Sequence, residues 1–184
     1  RIETVKPNRL KINLNFPAEI LGGSDPVTKG TLSVKWLNGS VAKNLKSSVE
    51  YLLKHTKTEF DKYGQYTFDD PTNEFYSETV RIFEDALDEN GNAKIKFDPG
   101  KEINAPGMLN AVFTARAAEP GGDESITQTT YKFAPYPVFV GINLPGLKGK
   151  SRMLFTDTDN EIKLVTVDEN GKPVGIKFRE MGTA

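Results

Sequence analysis

Apolar and polar side chains alternate with a period of two along much of this chain. Leu10, Ile12, Leu14 and Phe16 are separated by Lys11, Asn13 and Asn15. This spacing sends every apolar side chain to one face and predicts a half-buried strand. The stretch Gly22-Gly23-Ser24-Asp25-Pro26 breaks the pattern, and Leu32, Val34 and Trp36 resume it around Ser33 and Lys35. Asn38-Gly39 follows at once. Both residues tolerate positive φ, so the pair predicts a tight turn that returns the chain antiparallel. Val49, Tyr51 and Leu53 mark the next strand.

Between Phe60 and Tyr76 the sequence is aromatic and acidic, and Asp69-Asp70-Pro71 predicts a turn between edge segments. Residues 77–87 fit two patterns: Val80, Phe83 and Leu87 suit a helical face, whereas Val80 and Ile82 suit a strand. The strand is preferred, because Asn90-Gly91 leads into Lys94-Ile95-Lys96-Phe97, which alternates like a hairpin partner. Leu109, Ala111, Phe113 and Ala115 alternate again, Gly121-Gly122-Asp123 turns the chain, and residues 126–133 read as a Thr-rich strand. The expectation is an all-β domain of about seven or eight strands.

Pro135-Tyr136-Pro137 interrupts this pattern, since two prolines fix φ, lack N–H donors and favour extended backbone. A domain junction is expected here, dividing the chain into residues 1–135 and 136–184. The second part opens like the first. Ile142-Asn143-Leu144 repeats Ile12-Asn13-Leu14 at an offset of 130, and Asn170-Gly171 repeats Asn38-Gly39 at an offset of 132. Ile162, Leu164 and Thr166 alternate with Lys163 between the two landmarks. A repeated domain places such landmarks at equivalent strand and turn positions. The second part holds three or four strands by this reading, and a sheet of that size with one bare apolar face is marginal in water. It is therefore expected to be one partial copy after one complete copy. The opening Arg1-Ile2-Glu3-Thr4 and the closing Met181-Gly182-Thr183-Ala184 carry no strand pattern and read as ends cut within a larger protein.

Composition narrows the chemistry. The 24 Lys and Arg balance 25 Asp and Glu among 184 residues, so no net field steers the chain toward nucleic acid or an anionic membrane surface. The absence of cysteine rules out disulfides, thiolate metal sites, thiol nucleophiles and an internal thioester within this piece. No apolar run reaches the ~18–20 residues that span a bilayer. His55 is the single histidine, so a histidine triad and a two-histidine metal site cannot be built; a surface position at a strand end is expected for it. The carboxylates Asp69-Asp70 and Asp157, Asp159 and Glu161 read as solvated turns and loops. The second group has the opening spacing of a Ca²⁺ loop but lacks its glycine and distal glutamate. Gly22-Gly23 and Gly121-Gly122 lack the P-loop spacing and are expected to be turns. Asn38-Gly39-Ser40 is formally a glycosylation sequon that its turn already explains. Phe60, Tyr63, Tyr66, Phe68, Phe75 and Tyr76 suit either the core between two sheets or a carbohydrate-binding platform, with core favoured for the phenylalanines. No catalytic residue, metal ligand or cofactor site is named, and an enzyme is not expected.

Several segments resemble a known family. The opening residues 3–12, the turn from Val34 to Leu45, Phe68-Asp69-Asp70-Pro71, Leu87 to Gly91, Ala105 to Ala111, and Phe133-Ala134-Pro135-Tyr136 leading into Val140-Gly141-Ile142 resemble the middle macroglobulin-like domains of bacterial alpha-2-macroglobulins. The resemblance runs nearly to Val174 and is most specific to the large envelope lipoproteins of Bacteroides-like bacteria. It implies immunoglobulin or fibronectin-III-like β-sandwiches in tandem within a protein that traps proteases. In many members a Cys-Gly-Glu-Gln thioester and a cleaved bait segment lie elsewhere in the chain. It further implies a non-catalytic scaffold in the bacterial cell envelope, periplasmic or surface-exposed, with a lipid-anchored parent. The implied partners are the neighbouring domains of the parent and, through the intact protein, proteases; nucleic acid and direct membrane contact are not among them. A cell-surface adhesin or carbohydrate-binding sandwich is the alternative.

Overall fold

The computed structural model describes residues 9–100, 103–144, 159 and 161–175. Eight strands precede Pro135: β1 (Leu10–Asn15), β2 (Ile20–Gly22), β3 (Thr28–Trp36), β4 (Lys46–His55), β5 (Val80–Ala86), β6 (Asn92–Phe97), β7 (Leu109–Ala118) and β8 (Glu124–Ala134). Two more follow it, β9 (Phe139–Asn143) and β10 (Lys163–Val167). A single 3₁₀ turn, Asp61–Tyr63, is the one helical element among the described residues.

The first eight strands form two sheets, β1-β3-β6 and β2-β8-β7-β4-β5. Every pairing within them is antiparallel except β2 with β8. Leu10, Leu14, Leu32 and Val34 face Val49, Tyr51, Leu53, Ala111, Phe113 and Ala115 across the layer, with Phe16, Phe97 and Phe133 filling the space between. The sandwich is legible in β7, whose ten residues alternate buried and half-buried without exception. Aromatic rings meet edge-on at its centre, Tyr51 against Phe97 at 5.0 Å and Phe97 against Phe133 at 5.4 Å. This geometry suits the ring quadrupoles.

Two turns differ from the sequence expectation. Asn38-Gly39 makes its tight turn, with the Gly39 N–H donating to the Trp36 carbonyl at 2.8 Å, but β3 does not pair with β4. After one bridge between Lys35 and Val41 the chain crosses to the opposite sheet, where β4 pairs with β5 and β7. Likewise β5 is a strand, as preferred, yet Asn90-Gly91 carries the chain between layers, so β6 pairs with β3 rather than β5. An Asn-Gly pair sets local backbone geometry; the apolar faces on either side decide whether the chain returns in its own sheet or changes layers. Gly121-Gly122 does close a hairpin, joining β7 to β8 in register.

Strands β9 and β10 form a separate antiparallel pair. Their register repeats that of β1 and β3: Ile12 lies opposite Val34, and Ile142 opposite Leu164, each pair displaced by 130 residues. The turn beyond β10 repeats the turn beyond β3 at 132, with a bridge from Val167 to Pro173 matching that from Lys35 to Val41. Its side-chain chemistry is closer to another turn. Asp168-Glu169-Asn170-Gly171 has the residues of Asp88-Glu89-Asn90-Gly91, and in both the aspartate Oδ1 accepts the N–H groups two and four residues on, at 2.8–2.9 Å.

Candidate functional site

The chain between β4 and β5 is a long excursion, and its first part builds a second, smaller hydrophobic core. Phe60, Phe68, Met108, Ala134, Phe139 and Val167 are buried in it, with Tyr63, Tyr66, Val165 and Tyr136 packed alongside. Phe60 meets Phe68 at 4.8 Å and Phe139 at 5.9 Å, both edge-on. The aromatic set therefore divides. Four of its six rings line this second core, Phe75 packs at the margin of the sandwich core, and Tyr76 stands exposed. Phe60 and Phe68 are buried as expected and Phe75 only partly so, but Phe60 and Phe68 lie in the joint to β9 and β10, not between the sandwich sheets.

A polar network pins this excursion to the sandwich. The Asp69 carboxylate accepts the Thr58 N–H at 3.1 and 3.2 Å and the Thr58 hydroxyl at 2.5 Å, while Thr58 Oγ1 accepts the Met108 N–H at 2.7 Å. Thr58 is almost wholly buried and the Asp69 side chain largely so. Asp69 is thus a structural acceptor and not the solvated turn residue expected; its neighbour Asp70 is solvated and caps Thr72. A buried carboxylate in this position is stable because its lone pairs are occupied. His55 sits at the end of β4, partly exposed, with Nε2 3.8 Å from Asp69 Oδ1.

Tyr136, from the Pro-Tyr-Pro linker, is the one side chain that borders both cores among the described residues. Its hydroxyl donates to the Ala105 carbonyl and accepts the Ala105 N–H, each at 2.8 Å. Thr67 and Ile142 exchange both backbone hydrogen bonds at 2.9 Å, so the excursion also extends the β9–β10 pair.

Close approach at this joint depends on glycines from both sides. A Cβ on Gly141 would lie 2.5 Å from Phe68 Cε1, one on Gly171 2.8 Å from Phe60 Cδ1, and one on Gly23 2.7 Å from the Glu169 carboxyl carbon. Gly22-Gly23 therefore does more than turn the chain: it lets the β2 edge meet the turn after β10. A cleft of about 460 Å³ opens beside it, bordered by Phe60, Met108, Lys132, Glu169 and Lys172. One Glu169 oxygen, Oε2, is buried there without a hydrogen-bond partner.

The remaining candidates are dispersed. Asp159 and Glu161 are exposed, and Asp157 lies outside the described residues. No three acidic or histidine side chains come together as a metal site among the described residues. Asn38-Gly39-Ser40 is an exposed turn held by Asn38 Oδ1. No described helix is long and apolar enough to cross a membrane. The arrangement is a packed joint between the excursion and β9–β10, made of two apolar surfaces, a polar pin and a tethered linker.

Comparison with known proteins places this geometry. The profile of the bacterial alpha-2-macroglobulin MG5 domain matches residues 8–135. No curated protein matches. Among solved structures, the native conformation of Escherichia coli alpha-2-macroglobulin is similar at TM-score 0.62 and 19% identity, covering 92% of this chain and 11% of that one. Salmonella alpha-2-macroglobulin reacted with methylamine gives 0.63 and 18%, covering 93% and 12%. E. coli alpha-2-macroglobulin activated by porcine elastase gives 0.63 and 20%, covering 90% and 14%. The chain thus spans 11–14% of the length of these relatives, and the shared fold extends past residue 135 into β9 and β10. With the profile covering well over half of the chain and an all-β sandwich beneath it, this chain belongs to the bacterial alpha-2-macroglobulin family.

Proposed function

We propose that this chain is a non-catalytic scaffold segment of a bacterial alpha-2-macroglobulin-like protease inhibitor, an endopeptidase trap. In this reading residues 1–135 are one macroglobulin-like sandwich, and residues 136–184 begin a second. The observation that carries the proposal is the joint. Tyr136 borders both cores, and Asp69, Thr58 and the Thr67–Ile142 pair tie the excursion to both sides. A segment built this way transmits orientation, which is what a framework must do to keep distant functional parts in place. Two of the similar structures are described as activated by elastase and by trypsin, which supports proteases as partners of the intact protein. The family resemblance supports a parent in the cell envelope, periplasmic or surface-exposed, and lipid anchoring of that parent is part of the same proposal.

Mixing the isolated segment with trypsin or elastase tests the scaffold role. Proteolysis of a small chromogenic substrate and of a large protein substrate is expected to continue at the uninhibited rate. Stoichiometric inhibition by the segment alone would overturn the reading.

A further inference from the structure

Asparagine is followed by glycine at three places in this chain, Asn38-Gly39, Asn90-Gly91 and Asn170-Gly171, and all three close the same backbone turn. In each, the glycine N–H donates to the carbonyl three residues back, that of Trp36, Asp88 or Asp168, at 2.8–3.0 Å, and the glycine has positive φ. The pairs share a latent reactivity. Glycine has no side chain to shield its backbone nitrogen, which attacks the asparagine Cγ wherever the peptide unit between the two residues is free to turn.

The surroundings of the three turns differ. Asp88 and Asp168 clamp theirs, because the Oδ1 of each accepts the N–H groups two and four residues on. Trp36 stands in the place of these aspartates and has no carboxylate to offer. Space differs as well. A Cβ on Gly91 would lie 2.6 Å from the Val34 carbonyl oxygen and one on Gly171 2.8 Å from Phe60 Cδ1, whereas one on Gly39 would meet nothing within 4 Å. Asn38, Gly39 and Ser40 are all exposed, while Gly91 is buried and Gly171 half-buried. Asn38 Oδ1 also accepts the Ser40 N–H at 3.0 Å and the Ser40 hydroxyl at 2.7 Å, two donors that polarise the carbonyl under attack.

We propose that Asn38 is a site of spontaneous covalent modification in the folded protein: its side-chain amide closes to a succinimide and reopens to aspartate or isoaspartate, with Ser40 receiving the developing charge. The turn first releases the Gly39 N–H from Trp36, a local opening that an exposed turn without a carboxylate clamp makes readily. The Gly39 nitrogen gives its proton to hydroxide and bonds to Asn38 Cγ. Negative charge collects on Oδ1, where the Ser40 N–H and O–H already point, at the distances an oxyanion requires. The Cγ–Nδ2 bond then breaks, and ammonia leaves with a proton taken from water. Water adds to either carbonyl of the ring, so the net change is amide and water to carboxylate and ammonium. One negative charge appears at position 38, and the isoaspartyl product lengthens the backbone by a methylene. Residues 38–40 belong to neither core, so the modified chain stays folded. The reaction needs only this chain and water and is independent of the scaffold reading.

The 184-residue chain is aged in warm, mildly alkaline buffer, folded and in denaturant, and the three asparagines are followed by peptide mapping with fragmentation that separates aspartate from isoaspartate. In the folded chain Asn38 is expected to react at least about 10-fold faster than Asn90 and Asn170, which react only through local opening. In denaturant the three rates should converge to within about threefold, because the turns are gone. Equal rates in the folded chain, or the same ordering undiminished in denaturant, would overturn the proposal. Ser40→Ala should slow Asn38 by roughly threefold, the worth of an exposed hydrogen bond, and leave Asn90 and Asn170 unchanged. An unchanged or faster rate at Asn38 in that variant would overturn the part assigned to Ser40.

Discussion

The sandwich core and the core at the joint are both aromatic, yet they are built differently. The first is the interior of two sheets whose strands each supply alternate residues, so that Phe97 and Phe113 are surrounded on every side and fully buried. The second is assembled from an irregular excursion, a linker and one face of a strand pair, and its rings Phe60 and Phe68 keep 9% and 8% of their surface in contact with solvent. Regular alternation gives a core by repetition. An irregular segment gives one only if polar pins such as Asp69 and close approaches such as Gly141 hold it in place. The sandwich should therefore survive damage to the joint, whereas the joint should not survive loss of the sandwich.

The strongest way to test that asymmetry is Phe113→Ala, which removes a ring touching Phe16, Tyr51, Phe97 and Tyr131. It should cost about 3–5 kcal/mol in chemical denaturation and strip hydrogen-exchange protection from both cores together. Gly141→Val should cost roughly 1–3 kcal/mol by overpacking. Protection is then lost in β9 and β10 while β4, β7 and β8 keep theirs; uniform loss across all strands would contradict the two-core description. Thr58→Val retains the shape but removes the hydroxyl, leaving the Met108 N–H without its acceptor and Asp69 without its shortest donor. A loss of roughly 1–3 kcal/mol is expected, read by denaturation and by faster exchange at Met108. Tyr136→Phe keeps the ring between the cores and deletes both bonds to Ala105, so about 1–2 kcal/mol is expected, with increased motion of the linker in relaxation measurements. The smallest effect belongs to Asp70. Hydrogen bonds from the Thr72 hydroxyl and N–H hold its carboxyl below the ordinary aspartate value. Its contribution is therefore present above the unfolded pKa and is lost as pH falls through the lower folded value. Asp70→Asn should flatten the acid limb of the stability profile slightly and leave both cores unchanged at neutral pH.

Much of the sandwich was legible in advance. Leu10 to Asn15 and Lys94 to Phe97 alternate strictly, Leu109 to Ala115 does so except at Val112, and each lies in a strand whose apolar residues are largely buried. Strand β2 was not, because three residues ending in glycine carry no period and its parallel pairing with β8 is entirely non-local. The joint was partly legible: the repeat beyond Pro135-Tyr136-Pro137 was plain, and the shared Asp-Glu-Asn-Gly turns were a further signal in the sequence. The roles of Asp69 and Gly23 were not, since a carboxylate or glycine in a turn looks the same whether water or another segment faces it.

The sequence alone determined most of the strands, where the chain turns and that a strand pair like β1 and β3 returns after Pro137, because these depend on side-chain period and local φ preference. Tertiary structure alone decided which sheet each strand joins, which aromatic rings form the joint and which face of the repeated pair is spent on docking. Those outcomes depend on the area that distant segments bury together, and no local pattern records it.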